Sequence, residues 1–141
     1  MIRPYVSQDA ERIIHIWRKA SEFAHPFLSD DFHDMAATAI RDIYLPKAET
    51  YVTEINGVAV GFISLLDNYI GGLFLDPQYH GRGLGRALVD HAVKQKGPLT
   101  VEVFKENARG RRFYTAYGFV PTEEYFHEQA QHISIKMTMK P

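Results

Sequence analysis

Residues 79 to 87 read Tyr-His-Gly-Arg-Gly-Leu-Gly-Arg-Ala, so Gly81, Gly83 and Gly85 fall within five positions, with Arg82 inside the run and Arg86 directly after it. A glycine lets backbone N–H groups approach a ligand with no Cβ in the way, and the first turn of a helix leaves N–H groups unpaired beside about half a positive charge. The run lies between a strand pattern ending at Leu75 and a helical pattern beginning near Leu84. It therefore predicts a seat for a phosphate or pyrophosphate on the amides from about Gly81 to Ala87, with two arginines beside it. The alternative is a tight turn that binds nothing. Neither common nucleotide motif fits: a dinucleotide G-x-G-x-x-G follows its strand immediately, whereas Asp76 to His80 intervene here, and a P-loop needs a lysine that the run lacks.

The elements around the run can be read from apolar spacing. Ile2 to Tyr5 is a short strand, and Ser7 reads as the N-cap of a helix whose stripe is Ala10, Ile13, Ile14, Trp17 and Ala20. Pro26 stops that helix at His25, and Ser29 opens a second one that runs to Pro46. From Tyr51 the period changes to two. A hairpin turns at Asn56-Gly57, and a third strand, Tyr69 to Leu75, carries Gly71-Gly72 as the mark of a bulge or of a close backbone approach. A helix from Leu84 to about Gly97, a strand Leu99 to Phe104, a helix Asn107 to Tyr117 and a terminal strand with Ile133, Ile135, Met137 and Met139 on one face complete the order βααβββαβαββ. The reading is an α/β (α+β) fold, a mixed sheet with helices on its faces, and the alternating last strand offers an edge for pairing of two copies, so monomer and homodimer both stay open.

Composition narrows the function classes. The 141 residues suit one domain, 45% are hydrophobic, and 16 basic against 17 acidic side chains leave a net charge of −1 with no basic stripe for nucleic acid. The longest apolar run, Gly57 to Leu66, is too short for a membrane span, and no cysteine is present for a disulfide, a thiolate metal site or a nucleophile. The expected location is cytoplasmic. Seven histidines form no metal-binding pair of the H-E-x-x-H kind, and His127 and His132 read as surface residues, so no metal is expected.

Two segments together resemble the GCN5-related N-acetyltransferase (GNAT) family. One is LFLDPQYHGRGLG, Leu73 to Gly85, against the family's Gln/Arg-x-x-Gly-x-Gly/Ala signature after an apolar strand. The other is Asn107 followed by FYTAYGF, Phe113 to Phe119. With the preceding meander the resemblance covers nearly the whole chain. The His25-Pro26-Phe27 segment is similar to one in the small bacterial YiaC- and YjaB-like acetyltransferases. One departure is His80, where the family has Gln or Arg; a histidine can still donate a hydrogen bond, so a modest loss of cofactor affinity is expected.

The resemblance implies a single N-acetyltransferase domain over residues 1–141, with a mostly antiparallel central sheet. It implies acetyl-CoA as cofactor, lying between the Leu73–Leu75 strand and the Leu99–Phe104 strand. The contacts it implies are Leu73, Phe74 and Leu75 along the strand, His80, Gly81, Arg82, Gly83, Leu84, Gly85 and Arg86 on the loop, and Asn107. By the same resemblance Tyr114 is the acid that protonates the departing thiolate, since a phenol is protonated at neutral pH. The partner is an amine acceptor, either a protein lysine or a small molecule, and no nucleic acid or membrane. Acceptor-side candidates are His25, Phe27 and Tyr69, with Glu22, Asp30, Asp31 and Asp34 available to attract a cation.

The base is left open. The Tyr69–Leu75 strand has no carboxylate, so Asp67, Glu54, Tyr69, His25 and bulk water all remain as proton acceptors. That gap, with His80, keeps a second class in view: a non-catalytic CoA or acetyl-CoA sensor of the same fold.

Overall fold

Period-two segments and amphipathic helices assemble into one seven-stranded sheet covered on both faces. The computed structural model describes residues 1–140. In chain order the elements are β1 (Ile2–Pro4), α1 (Ala10–Ala24), α2 (Asp30–Ala39), α3 (Leu45–Lys47), β2 (Glu49–Ile55), β3 (Val58–Leu66), β4 (Tyr69–Leu75), α4 (Leu84–Lys96), β5 (Thr100–Phe104), α5 (Ala108–Tyr117), β6 (Phe119–His127) and β7 (His132–Met139). The strand order is β1-β2-β3-β4-β5-β7-β6, antiparallel except for β4 with β5. This is the mixed, mostly antiparallel sheet that the sequence predicts, and apart from the short α3 the element order is the predicted one.

Three local expectations need correction. Ser7 caps nothing; the start of α1 is organised by Asp9, whose carboxylate accepts from the Val6 N–H at 2.9 Å and pairs with Arg3 at 2.8 Å. Pro46 does not end the second helix: α2 passes through a π-helical turn, Ile40–Tyr44, into α3, where the proline sits in a first turn that needs no N–H. The last strand is not an edge. β7 is held between β5 and β6, which leaves β6 outermost and Ile133 exposed at the far end.

Each face of the sheet has its own core. Leu88, Val89 and Ala92 of α4 and Tyr114 of α5 pack on Ile63, Leu65, Ile70, Val101 and Val103. On the other face, Ile13, Ile16 and Trp17 of α1 pack on Val52, Ala59 and Phe62. Two irregularities between these layers shape the site. β4 carries an extra residue at Gly71, since Ser64 pairs with Gly72 and Leu65 already with Ile70, which is the bulge that the paired glycines signalled. In addition, β4 pairs with β5 only at Tyr69↔Thr100 and Ile70↔Val101. Beyond those two rungs the strands part. One edge of Gly71–Leu75 and one of Glu102–Phe104 are left facing a wedge-shaped gap at the sheet centre.

Candidate active site

The gap is the inner end of a cavity of about 780 Å³, bounded by β4, β5, the glycine loop and the start of α5. Leu73, Phe74, Leu75, His80, Gly81, Gly83, Leu84, Gly85, Arg86 and Asn107 all line it, as do Tyr114, His25 and Tyr69. The glycine run takes the form its spacing predicts. Gly81 and Gly83 adopt φ of 79° and 77°, a left-handed region that side chains strain to enter, and Gly83 is the N-cap of α4. The amides of Leu84, Gly85 and Arg86 are then first-turn donors without an intrahelical acceptor, whereas the Ala87 N–H already bonds to the Gly83 carbonyl at 3.0 Å. The free run therefore ends at Arg86, one residue earlier than expected. No Cβ stands over Gly81 or Gly83, so the cradle is open to an anion.

The two loop arginines part company. Arg86 lines the cavity and lays its guanidinium over the Tyr117 ring, 4.9 Å from the centroid; Arg82, whose guanidinium lies over Tyr79 at 5.0 Å, is not part of the lining. Two further arginines, Arg109 and Arg112, do line the cavity from α5, three residues apart and so on one helical face. Sequence reasoning passed over them, although that spacing was the available signal. His80 packs edge-on against Phe23 with centroids 5.4 Å apart, and burial, aided by the charge of Arg109, holds its pKa below the ordinary histidine value.

Asn107 has two roles at once. Its side-chain oxygen accepts from the Gly110 N–H at 2.9 Å, which caps α5, and its amide nitrogen therefore faces the His25 Nε2 at 3.2 Å. An amide nitrogen only donates, so Nε2 is an acceptor and the neutral His25 ring carries its proton on Nδ1. That proton goes to the Ser21 hydroxyl at 3.1 Å, whose own proton goes to His33 Nε2 at 3.0 Å. Burial, then the neighbouring His33, pushes the His25 pKa down to about 4, in agreement with a neutral ring. With both ring nitrogens engaged, His25 positions Asn107 rather than serving as a free base. Phe27 does not line either large cavity; it packs against His25, Phe104 and His132, and its carbonyl accepts from His132 Nε2 at 3.1 Å.

Tyr114 stands in the cavity wall with 7% of its surface exposed, between Phe113 and Phe119. Burial, and secondarily Tyr69, raises its pKa well above the usual phenol range. Tyr69 is raised to about 12, by burial first and then by Glu102, Tyr125 and Tyr44. Both phenols are thus held protonated at neutral pH.

β4 has no carboxylate, but β5 brings one to the cavity wall. Val101 and Val103 point into the α4–α5 core, so Glu102 alternates to the opposite face, lines the cavity and accepts from the Tyr125 hydroxyl at 2.6 Å. Of the acids weighed from the sequence, Glu54 pairs with Arg3 at 3.0 Å on β2, two strands from β4, and Asp67 sits in the β3–β4 turn with φ of 53°; neither lines the cavity. Glu22 and Asp34 are bound to Arg18 at 3.2 and 2.7 Å. His127 and His132 are half-buried rather than superficial, and His127 lies at the junction of this cavity with a second one.

Comparison with known proteins agrees with this geometry. The model of the acetyltransferase (GNAT) domain matches residues 46–121. The peptidyl-lysine N-acetyltransferase YjaB of Salmonella typhimurium is 33% identical over 122 residues, 86% of this chain and 83% of that one; the peptidyl-lysine N-acetyltransferase YiaC of Escherichia coli is 29% identical over 84% and 82%. The solution structure of apo YjaB from Escherichia coli superposes with a TM-score of 0.87 at 28% identity, covering 98% of this chain and 95% of that one. The PaiA N-acetyltransferase of Thermoplasma acidophilum, solved in complex with coenzyme A, has the same fold at 18% identity, with a TM-score of 0.79 over 100% of this chain and 98% of that one. With its parted β4–β5 pair, its glycine-capped α4 and its buried Tyr114, the chain belongs to the GNAT family of acetyltransferases.

Proposed function

We propose that this protein transfers the acetyl group of acetyl-CoA directly to the ε-amine of a peptidyl lysine, both substrates being bound at once. The observation that carries the reading is the wedge between β4 and β5, which opens onto the free first-turn amides of α4 and onto Tyr114 in one cavity. The residues fit the cofactor: unpaired strand edges match the amides of a pantetheine arm, and the open glycine cradle with Arg86, Arg109 and Arg112 beside it matches its phosphates. The peptidyl-lysine activity in the names of the two relatives supports the acceptor.

Acetyl-CoA supplies an acetyl group already activated as a thioester. The chain's residues then have two proton tasks. Glu102, the carboxylate on the wall of the cavity, accepts the proton that the attacking amine loses as its C–N bond forms. Tyr114, kept protonated by burial, holds the proton that the sulfur receives as the C–S bond breaks. Tyr125, bonded to Glu102, fixes the orientation of the carboxylate. Thiol release from acetyl-CoA in the presence of lysine peptides tests the reading, with acetylated lysine located by mass spectrometry. Acetyl-CoA binding without transfer to any amine would instead describe a sensor.

A further inference from the structure

A second cavity, of about 530 Å³, opens on the α1–α2 face of the sheet. Tyr69, Gly71, Gly72, Phe74 and His127 belong to the walls of both cavities, so the two meet at the β4 bulge. Its character is apolar: Trp17, Phe32, Ile40, Phe62 and Leu66 line it, and no Asp, Glu, Lys or Arg does. Apolar surface continues to its rim, where Met35, Ile43 and Tyr44 are 46%, 50% and 50% exposed. Ile43 and Tyr44 are carried there by the π-helical turn between α2 and α3, a distortion that favours functional sites.

These features bear on what accompanies the amine. A cavity of this size falls in the range of about 300–1,000 Å³ that holds drug-sized molecules, more than the methylene chain of one lysine needs. A site selecting a polyamine or a lysine among acidic residues would present charge, and this one presents none. Exposed aliphatic and aromatic side chains gathered at a rim mark a recognition surface.

Building on the lysine reading above, we propose that the preferred acceptor is a lysine flanked in its own peptide by a large aliphatic or aromatic residue. That flanking side chain occupies the α1–α2 cavity. The lysine amine passes the opening beside Gly71 and Gly72 toward Tyr69 and Glu102.

The test is kcat/KM on peptides that differ only beside the lysine, with Leu or Phe against Ser, Glu or Lys, alongside isothermal titration of acetyl-CoA. The expected result is at least a tenfold preference for the apolar flank, as roughly one buried methylene or more contributes in such a pocket. Ile43→Glu and Met35→Glu, both at exposed positions, should each bring the ratio to within about twofold while acetyl-CoA affinity and melting temperature hold. Equal rates, or a preference for polar flanks, overturn this inference and leave the lysine transferase standing. Transfer to small amines alone overturns the lysine reading and the inference together, and transfer to no amine overturns the transferase itself.

Discussion

The side-chain amide of Asn107 donates to the ring of His25 at 3.2 Å, tying the N-cap of α5 to the residue that ends α1, 82 positions earlier in the chain. Both residues line the cavity beside the glycine loop, so a buried histidine at the end of α1 fixes the orientation of a side chain at the start of α5.

This link has a pH signature. The His25 pKa is lowered from 6.5 to about 4 in the fold, by burial first, so the unfolded chain takes up the proton before the folded one. The contribution of the neutral ring is complete above pH 6.5 and is lost as the pH falls toward 4, by up to about 1.4 kcal/mol per pH unit. His33, also lowered mainly by burial, acts in the same direction. Urea midpoints for the wild type should drop between pH 7.5 and pH 5, and His25→Gln, which retains an acceptor for Asn107, should weaken that dependence. An unchanged slope would show that the ring is not held neutral.

Tyr114→Phe separates chemistry from binding. The substitution removes one hydroxyl from a buried wall and leaves the ring in its aromatic contacts. Loss of a general acid should lower kcat by about 10²–10⁴-fold, with acetyl-CoA affinity within about threefold of wild type. Single-turnover kinetics and calorimetry read the two quantities separately.

Glu102→Gln should cost about 10²-fold or more in kcat/KM, and the deficit should shrink as rising pH deprotonates the amine in solution. Tyr125→Phe removes the 2.6 Å hydrogen bond while leaving the carboxylate in place, so a smaller loss is expected. A pH–rate profile for each variant distinguishes these outcomes from simple loss of packing.

Glycine positions give a contrast in kind. At Gly83 a Cβ would meet nothing, but φ of 77° disfavours one, so Gly83→Ala should weaken acetyl-CoA binding by distorting the amide cradle, by about 1–2 kcal/mol. At Gly110 a Cβ would approach the Asn107 amide nitrogen to 2.5 Å. Gly110→Ala should therefore break the α5 cap, costing roughly 1 kcal/mol of stability and loosening Asn107 from His25. Calorimetry and thermal melts of the two proteins should rank them in opposite order.

Much of this arrangement is legible in the chain. The period change at Tyr51, the paired glycines of β4 and the run at Gly81 to Gly85 locate the strands, the bulge and the glycine-capped start of α4 because each depends on local geometry. Glu102 is visible as the polar member of Val101-Glu102-Val103, but assigning it to the site needs the knowledge that β5 borders β4 and that the two diverge after two rungs. The engagement of Asp34 is hidden for a related reason: Arg18 reaches it across 16 positions, a pairing created only when the helices pack. The same holds for His25, whose partner Asn107 comes from another layer of the fold.

The most direct measurement of the central claim is thiol release from acetyl-CoA by the purified protein, with and without a lysine peptide, in wild type and Tyr114→Phe. Acetyl transfer through the β4–β5 wedge predicts release that depends on the peptide, acetylated lysine in the product and near-complete loss in the variant with acetyl-CoA still bound. Peptide-dependent release at the wild-type rate in Tyr114→Phe, or no acetyl-CoA binding to the wild type, would contradict it.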